Sequence, residues 1–342
     1  MANKKSSFGS TPAPLMYMAK FEQGKWQKGT IGTFSDISLS PFAMCFHYGQ
    51  TVFEGLKAFK NPNQQVSVFR HADNFDRINI SLERMAMPPI PRSNWDEGIL
   101  DLVADLHNVV PSFGYGTLYL RPFVIATQAK LGVEAATEYL FLVVASPSGS
   151  YYSNPLKVKV ERHYTRAAPG GVGYAKCGGN YGGSLLPFRK AKEEGFDQIL
   201  WTDSRDHEWF EESGTMNFGF IIDGQFITPK PSDTILDGIT RKSVIQIAKD
   251  LGIPVIEKPF SVSALHEAFQ QGKQVEAFGI GTAAGIAPFK EISIDGELFT
   301  CHHEAEALMY QIKKDLLGIQ TGEIEDRHHW NTLVSQPTLS VA

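Results

Sequence analysis

Residues 169 to 183 read Pro169-Gly170-Gly171-Val172-Gly173-Tyr174-Ala175-Lys176-Cys177-Gly178-Gly179-Asn180-Tyr181-Gly182-Gly183, a run in which seven glycines surround a single lysine. Most other lysines stand in charged or polar helical patterns, as Lys190, Lys192 and Lys249 do. An ammonium there is fully hydrated. Small and aromatic neighbours instead let backbone crowd a ligand and strip water from the amine, which lowers its pKa and makes Lys176 a candidate nucleophile toward an aldehyde. A flexible surface loop with an ordinary lysine fits the same composition.

Upstream of that run, Ser146 to Pro155 carries turn formers at most positions and no apolar period, so it reads as a linker. A chain of 342 residues suits about two domains. The expected division is a small N-terminal domain over 1–148, a linker over 149–158 and a larger domain over 159–342. In the first, Met16 to Phe21, Val66 to Arg70, Leu118 to Val124 and Tyr139 to Ala145 have strand composition. Phe75, Ile78, Leu82 and Met85 mark a helix from about His71. Ile99, Leu102, Val103, Leu106 and Val110 mark another, with Ser93 and Asp96 placed to cap it. In the second domain Leu156 to Glu161 alternates, Asp223-Gly224 and Asp295-Gly296 read as hairpin turns, and helices are expected near 184–194, 240–251, 263–271 and 304–317.

Hydrophobic residues at 42% and charged residues at 20% place the chain among folded globular proteins. A net charge of -5 offers no field for a polyanion, so nucleic acid is not an expected partner. The longest apolar run, Tyr139 to Ala145, falls far short of the roughly 20 residues of a membrane helix, so no membrane partner is expected. No apolar stretch follows Lys4 and Lys5, so no secretory signal is expected. Cys45, Cys177 and Cys301 are odd in number and widely spaced, which points to reduced thiols and a cytoplasmic location.

Other features bear on chemistry. Glu211-Glu212-Ser213-Gly214-Thr215-Met216-Asn217 leads into the apolar run Phe218 to Ile222, and strand alternation lets only one of the glutamates face the interior. A buried carboxylate needs a cationic partner, for which a protonated pyridine nitrogen would serve; two solvated glutamates in a turn are the other reading. Gly238-Ile239-Thr240-Arg241 opens a helix, and Gly279-Ile280-Gly281-Thr282-Ala283 follows a strand; both combine glycine with a hydroxyl residue and could cradle a phosphate. Neither has the glycine spacing of a dinucleotide fingerprint or a Walker lysine. Arg77 and Arg121 interrupt apolar stretches and call for a carboxylate, a phosphate or a side-chain ion pair. The adjacent pairs His302-His303 and His328-His329 lack ligand spacing, so no metal is expected.

Lys176-Cys177-Gly178-Gly179-Asn180-Tyr181 and Glu212-Ser213-Gly214-Thr215-Met216-Asn217 closely resemble the branched-chain amino-acid aminotransferases, of the fold-type IV pyridoxal-phosphate family. His47-Tyr48-Gly49, Phe53 to Phe59, Leu118-Tyr119-Leu120-Arg121-Pro122 and Gly281-Thr282-Ala283 resemble it in the same order, and the likeness runs from about Met16 to Trp330. The resemblance implies an α+β (mixed α/β) chain of two domains: a smaller α/β N-terminal lobe, a larger lobe of antiparallel sheet or barrel with flanking helices, and pyridoxal 5'-phosphate at the domain interface. It implies a homodimer in which the small lobe of one subunit helps close the other's site.

The resemblance also implies roles. Lys176 would bond covalently to the cofactor aldehyde, Glu212 would hold the pyridine nitrogen protonated, and Tyr181 would hydrogen-bond the ring's phenolic oxygen. Arg77, Thr240, Thr282 and the backbone N–H of Ile239 would grip the phosphate. Tyr48 and the Thr282-Ala283 backbone would receive the substrate carboxylate, Tyr119 and Arg121 the second carboxylate of glutamate, while Phe53 and Tyr181 line an apolar pocket. The activity implied is ping-pong transfer of an amino group between L-leucine, L-isoleucine or L-valine and 2-oxoglutarate, giving glutamate and 2-oxo acids. A D-amino-acid aminotransferase or an aminodeoxychorismate lyase of the same fold type would share Lys176 and Glu212, and an idle pyridoxal-phosphate binder is the remaining alternative. Mammalian relatives carry a Cys-x-x-Cys after the Gly-Thr-Ala turn; Ala283-Ala284-Gly285-Ile286-Ala287-Pro288 has none, so that redox control is not expected. Cys177 stands where an apolar residue is more usual and is read as a small hydrophobe.

Overall fold

Thr117–Ala126 and Tyr139–Ser148, the longest of the β-branched and aromatic runs, pair antiparallel over their whole length, from Thr117 opposite Ser148 to Ala126 opposite Tyr139. Leu15–Glu22 extends the sheet beyond the second of these, and Leu56–Lys60, Val66–Phe69 and Asn331–Leu333 extend it beyond the first. Thr51–Phe53 adds to Thr117–Ala126 on the same side as Leu56–Lys60, and that short strand positions the chemistry below. Residues 8 to 149 and 154 to 335 are described by this computed structural model; Ser150 to Ser153, at the centre of the expected linker, lie outside the described residues.

By contacts the chain divides into two units. The first takes in Met1–Tyr151, Ala175–Gly178 and Gly318–Ala342; the second takes in Tyr152–Tyr174 and Gly179–Leu317. Lys176 therefore belongs with the first unit although the chain on either side of it belongs to the second. The first unit's core is aromatic: Trp95 stacks on Phe141 at 6.3 Å, and Tyr17 meets Phe141 edge-on at 5.7 Å. Trp95 sits on a helical stretch, Arg92–Asp96, that continues through a π turn, Glu97–Asp101, into Leu102–Asp105. Pro91 precedes its first turn with no side-chain cap, so the expected Ser93 cap is not made. The helix starts at Arg92, directly after Pro91 in extended conformation, so Ser93 lies inside the first turn rather than at the cap. Residue 98, in the π turn, is a glycine at which a Cβ would stand 2.9 Å from the Tyr17 ring.

The second unit holds a mixed sheet in the order Phe210–Ser213, Gln198–Thr202, Leu156–Glu161, Gly285–Ile294, Val275–Gly281, Asn217–Ile222, Gln225–Thr228, Val255–Glu257, with Glu297–Thr300 on Gly285–Ile294. Hairpin pairs are antiparallel, but Leu156–Glu161 runs parallel to both its neighbours and Gln225–Thr228 parallel to Val255–Glu257. Asp223-Gly224 and Asp295-Gly296 each hold two successive positive φ angles, the geometry of a two-residue hairpin turn. Phe210, Phe218, Phe220 and Phe289 are all almost fully buried in the core. Helices Leu185–Glu193, Ile239–Asp250 and Val262–Gln270 occupy the expected stretches, while the last, Leu308–Thr321, begins and ends beyond the expected 304–317. Among the described residues no helix is long and apolar enough to cross a membrane.

Candidate active site

Lys176 is held by sheet hydrogen bonding. Phe53 N–H donates to its carbonyl at 3.0 Å, Gly178 N–H donates to the Thr51 carbonyl at 3.2 Å, and Val52 and Cys177 bridge antiparallel between them. Lys176 N–H donates to Ser81 Oγ on the helix His71–Arg84 at 2.9 Å. A Cβ on Gly178 would lie 2.5 Å from Thr51 Oγ1, so the residue two beyond the lysine must be glycine for the strands to meet. The surface-loop reading of this run fails, because its backbone is tied on both sides of the lysine.

The Lys176 ammonium stands 4.9 Å from the centre of the Phe53 ring, and the Arg121 guanidinium is 4.7 Å from the same ring. Arg121 is also 5.4 Å from the Tyr119 ring and donates to the Tyr119 hydroxyl at 3.0 Å. Its Nε is buried without a hydrogen-bond partner among the described residues. Aromatic faces hold this cation, each contributing about 0.5–1 kcal/mol. Tyr119 can reach it because residue 55 is glycine: a Cβ there would fall 2.1 Å from the tyrosine oxygen.

Arg77 is anchored in the same unit. Its Nε and one terminal nitrogen donate to the two oxygens of Glu54 at 2.7 and 2.8 Å, and Asn74 adds a bond at 2.8 Å. Glu54 is fully buried. Burial alone raises its carboxyl, but the charge and hydrogen bonds of Arg77, the charge of Lys176 and the Asn74 bond prevail and hold it below the ordinary carboxylate range. Tyr48 ends the short helix Cys45–Tyr48, ahead of Gly49 at φ 64; its hydrogen bond goes to the Leu131 carbonyl and its ring contact to His47. The first unit thus brings Lys176, Phe53, Tyr119 and Arg121 together, with Arg77 linked to Lys176 through Glu54 and Ser81.

In the second unit Glu212 is buried, with Leu236 N–H donating to Oε1 at 2.8 Å and Arg166 Nε 3.2 Å from Oε2. Glu211 is buried too, against the expectation of one inward and one outward glutamate: alternation separates faces only when one face is wet, and all four residues of Phe210–Ser213 are covered. Burial pushes the Glu211 carboxyl up to about 7; the Thr234 hydroxyl and Arg166 act against that rise, while Asp203 and Glu212 add to it. Gly214, at φ 58, turns the chain so that Ser213 and Met216 exchange backbone bonds at 2.8 Å.

Ile239 and Thr240 are buried at the start of the helix Ile239–Asp250, which has no side-chain cap. The residue ahead of them is glycine because a Cβ on Gly238 would lie 1.8 Å from Asn217 Oδ1. Arg241 turns away and bonds Glu257 at 2.7 Å and the Pro229 carbonyl at 2.6 Å. Thr282, Ala283 and Ala284 form the hairpin turn closed by Gly281 opposite Gly285. Tyr181 lies in the turn Gly179–Gly182, where its carbonyl accepts from Ser184 N–H and Oγ. Glu54 and Arg166 were not singled out from the sequence as site residues; the acid between Phe53 and Gly55 was the available signal, and Arg166 offered none beyond its charge.

The profile of the family described as amino-transferase class IV matches residues 51–292. The chain is 39% identical to branched-chain-amino-acid transaminase 1 of Bacillus subtilis (strain 168), covering 96% of this chain and 94% of that one. It is 41% identical to a probable branched-chain-amino-acid aminotransferase of Staphylococcus aureus (strain N315), covering 96% and 93%. Among solved structures, the branched-chain amino acid aminotransferase of Escherichia coli superposes with a TM-score of 0.77 at 27% identity, over 93% of this chain and 99% of that one. A second solved branched-chain amino acid aminotransferase, complexed with N-(5'-phosphopyridoxyl)-L-glutamate, gives 0.77 at 26% identity, over 94% and 99%.

Proposed function

The chain belongs to the class IV amino-transferases, and from that premise we propose that it exchanges the amino group between L-leucine, L-isoleucine or L-valine and 2-oxoglutarate, with pyridoxal 5'-phosphate as its cofactor. The observation that carries the substrate reading is Arg121, a half-buried guanidinium steadied by the Phe53 and Tyr119 rings beside Lys176. A carboxylate can replace the ring faces as its partner, and an aliphatic chain can lie on the same rings while leaving the cation where it is.

The donor set fits the cofactor. A lysine anchored by sheet bonds would suit an aldehyde, a buried carboxylate a pyridine nitrogen, and the helix start at Ile239 and Thr240, with Thr282, a phosphate. Arg77 adds a fifth group, a cation whose direction Glu54 fixes. When bound, the cofactor supplies an aldehyde that takes up the amino group and a ring that absorbs negative charge. Glu212 would keep a proton on the ring nitrogen, Tyr181 would hydrogen-bond the phenolic oxygen, and Lys176 Nζ would serve as the base and then the acid for the substrate Cα proton. The Thr282-Ala283 backbone and Tyr48 hold the substrate carboxylate. The same residues serve both half-reactions, so the kinetics are ping-pong.

We assign the active form to a homodimer. Phe42 and Phe46 are 52% and 61% exposed, and Leu131 and Val133 are 49% and 84% exposed on a segment bonded to the first through Lys130 N–H and the Phe42 carbonyl. Large apolar side chains grouped in this way favour burial by a second copy. No disulfide joins Cys45, Cys177 and Cys301, which supports a cytoplasmic site of action. The test of the function is turnover of L-leucine with 2-oxoglutarate, run beside both enantiomers of alanine. Release of glutamate from the L-leucine reaction is expected; turnover confined to D-amino acids would reject the proposal.

A further inference from the structure

Two consecutive carboxyl groups, Glu211 and Glu212, are buried on one strand with the Arg166 guanidinium beside them. Their surroundings differ. Glu212 receives the Leu236 N–H at 2.8 Å and has Arg166 Nε at 3.2 Å. Glu211 has an oxygen, Oε2, that is buried without a partner among the described residues. Arg166 is itself fixed, because it also bonds the Gly173 carbonyl at 3.1 Å and the Thr234 carbonyl. One terminal nitrogen therefore ties the run leading to Lys176 to the loop leading to the Ile239–Asp250 helix, while Nε stands at ion-pair distance from Glu212 without a hydrogen bond among the described residues.

We propose that Arg166 is a positioning residue that partitions charge between the two glutamates, holding Glu212 as the anion and leaving Glu211 as the neutral acid. The proposal rests on the reading that Glu212 faces the cofactor ring. Its physical basis is that two adjacent buried carboxyls with one cation cannot both ionise cheaply, and the negative charge settles where a cation and a backbone donor meet it. The groups facing Glu211 agree: the Thr234 hydroxyl and Arg166 favour its ionised form, and burial, Asp203 and Glu212 oppose it with the larger combined effect. The consequence for catalysis is that the ring nitrogen meets an acceptor that is already charged. Glu211, kept neutral, adds no second negative charge beside Arg166 that would draw the guanidinium off Glu212.

The test reads protons directly, in the holoenzyme and in the protein stripped of cofactor. Infrared difference spectra at pH 6, wild type minus Glu211→Gln, are expected to show the carbonyl stretch of a protonated buried acid, and wild type minus Glu212→Gln to lack it. Arg166→Met in the Glu211→Gln background is expected to bring that band back, now from Glu212, while Arg166→Lys in the same background leaves it absent. A residue that only braced the loops would not move a proton between carboxyls. A band that vanishes with Glu212→Gln and survives Glu211→Gln would overturn the proposal. So would its absence from the Glu211→Gln, Arg166→Met protein. Should the arginine variant fail to fold, the two glutamate variants alone still decide which group carries the proton. The reading beneath is tested apart from this: if Glu212→Gln leaves the absorption spectrum of the bound cofactor unchanged, Glu212 does not face the ring, whatever the infrared result.

Discussion

Arg121→Met separates the two halves of the proposed reaction. The guanidinium donates to the Tyr119 hydroxyl and lies over two aromatic rings, with Nε unpartnered among the described residues. A glutamate side-chain carboxylate would gain a charge-assisted hydrogen bond there, and losing such a bond costs about 1.5–3 kcal/mol, or on the order of 10- to 100-fold in kcat/KM. Leucine makes no such bond. Methionine keeps the apolar stem against Phe53 and Tyr119, so the leucine half-reaction should stay within about threefold of wild type. The assay is single-turnover absorbance of the bound cofactor, with each amino acid supplied alone. Equal losses for glutamate and leucine would show that Arg121 serves the shared part of the substrate or the fold, and the dual-pocket argument would fail.

Other outcomes follow from the same contacts. Glu54→Gln removes the anion from a fully buried bidentate pair, so urea unfolding should show a loss of about 3–5 kcal/mol; Glu54→Leu with Arg77→Met should lose less than the sum of the single changes. Glu211 has a folded pKa raised to about 7 from an ordinary 4.5, so its stabilising contribution is complete below the lower value and lost as pH rises through the upper one. Relative to wild type, Glu211→Gln should therefore gain about 1–3 kcal/mol between pH 5 and pH 8 in unfolding measurements, and a flat difference would contradict the assignment. Phe46→Glu places a charge on the exposed apolar surface, and sedimentation should show the wild-type dimer shifting toward monomer.

Much of this was legible along the chain, and the exceptions share a cause. The strands of the first unit and the two Asp-Gly turns follow from alternation and turn chemistry, which act over a few residues. The chemical candidates at Lys176 and Glu212 stood out because glycine-rich or doubly acidic surroundings are unusual in themselves. What was not legible is long-range. Nothing near Lys176 says that its backbone joins Thr51–Phe53 and Ser81, and nothing near Arg77 says that Glu54 will meet it. The burial of both Glu211 and Glu212 depends on elements covering both faces of their strand, which periodicity does not report. The missing Ser93 cap is a local failure of another kind, since the helix starts at Arg92, ahead of the hydroxyl signal.

Lys176 as the point of attachment is the claim on which the rest depends. Treating the holoprotein with borohydride and mapping the peptides should place the reduced, pyridoxyl-bearing residue at Lys176. Lys176→Ala should bind no cofactor covalently and transfer no amino groups while remaining folded. A label on a different lysine, or turnover that survives in the alanine variant, would contradict the account.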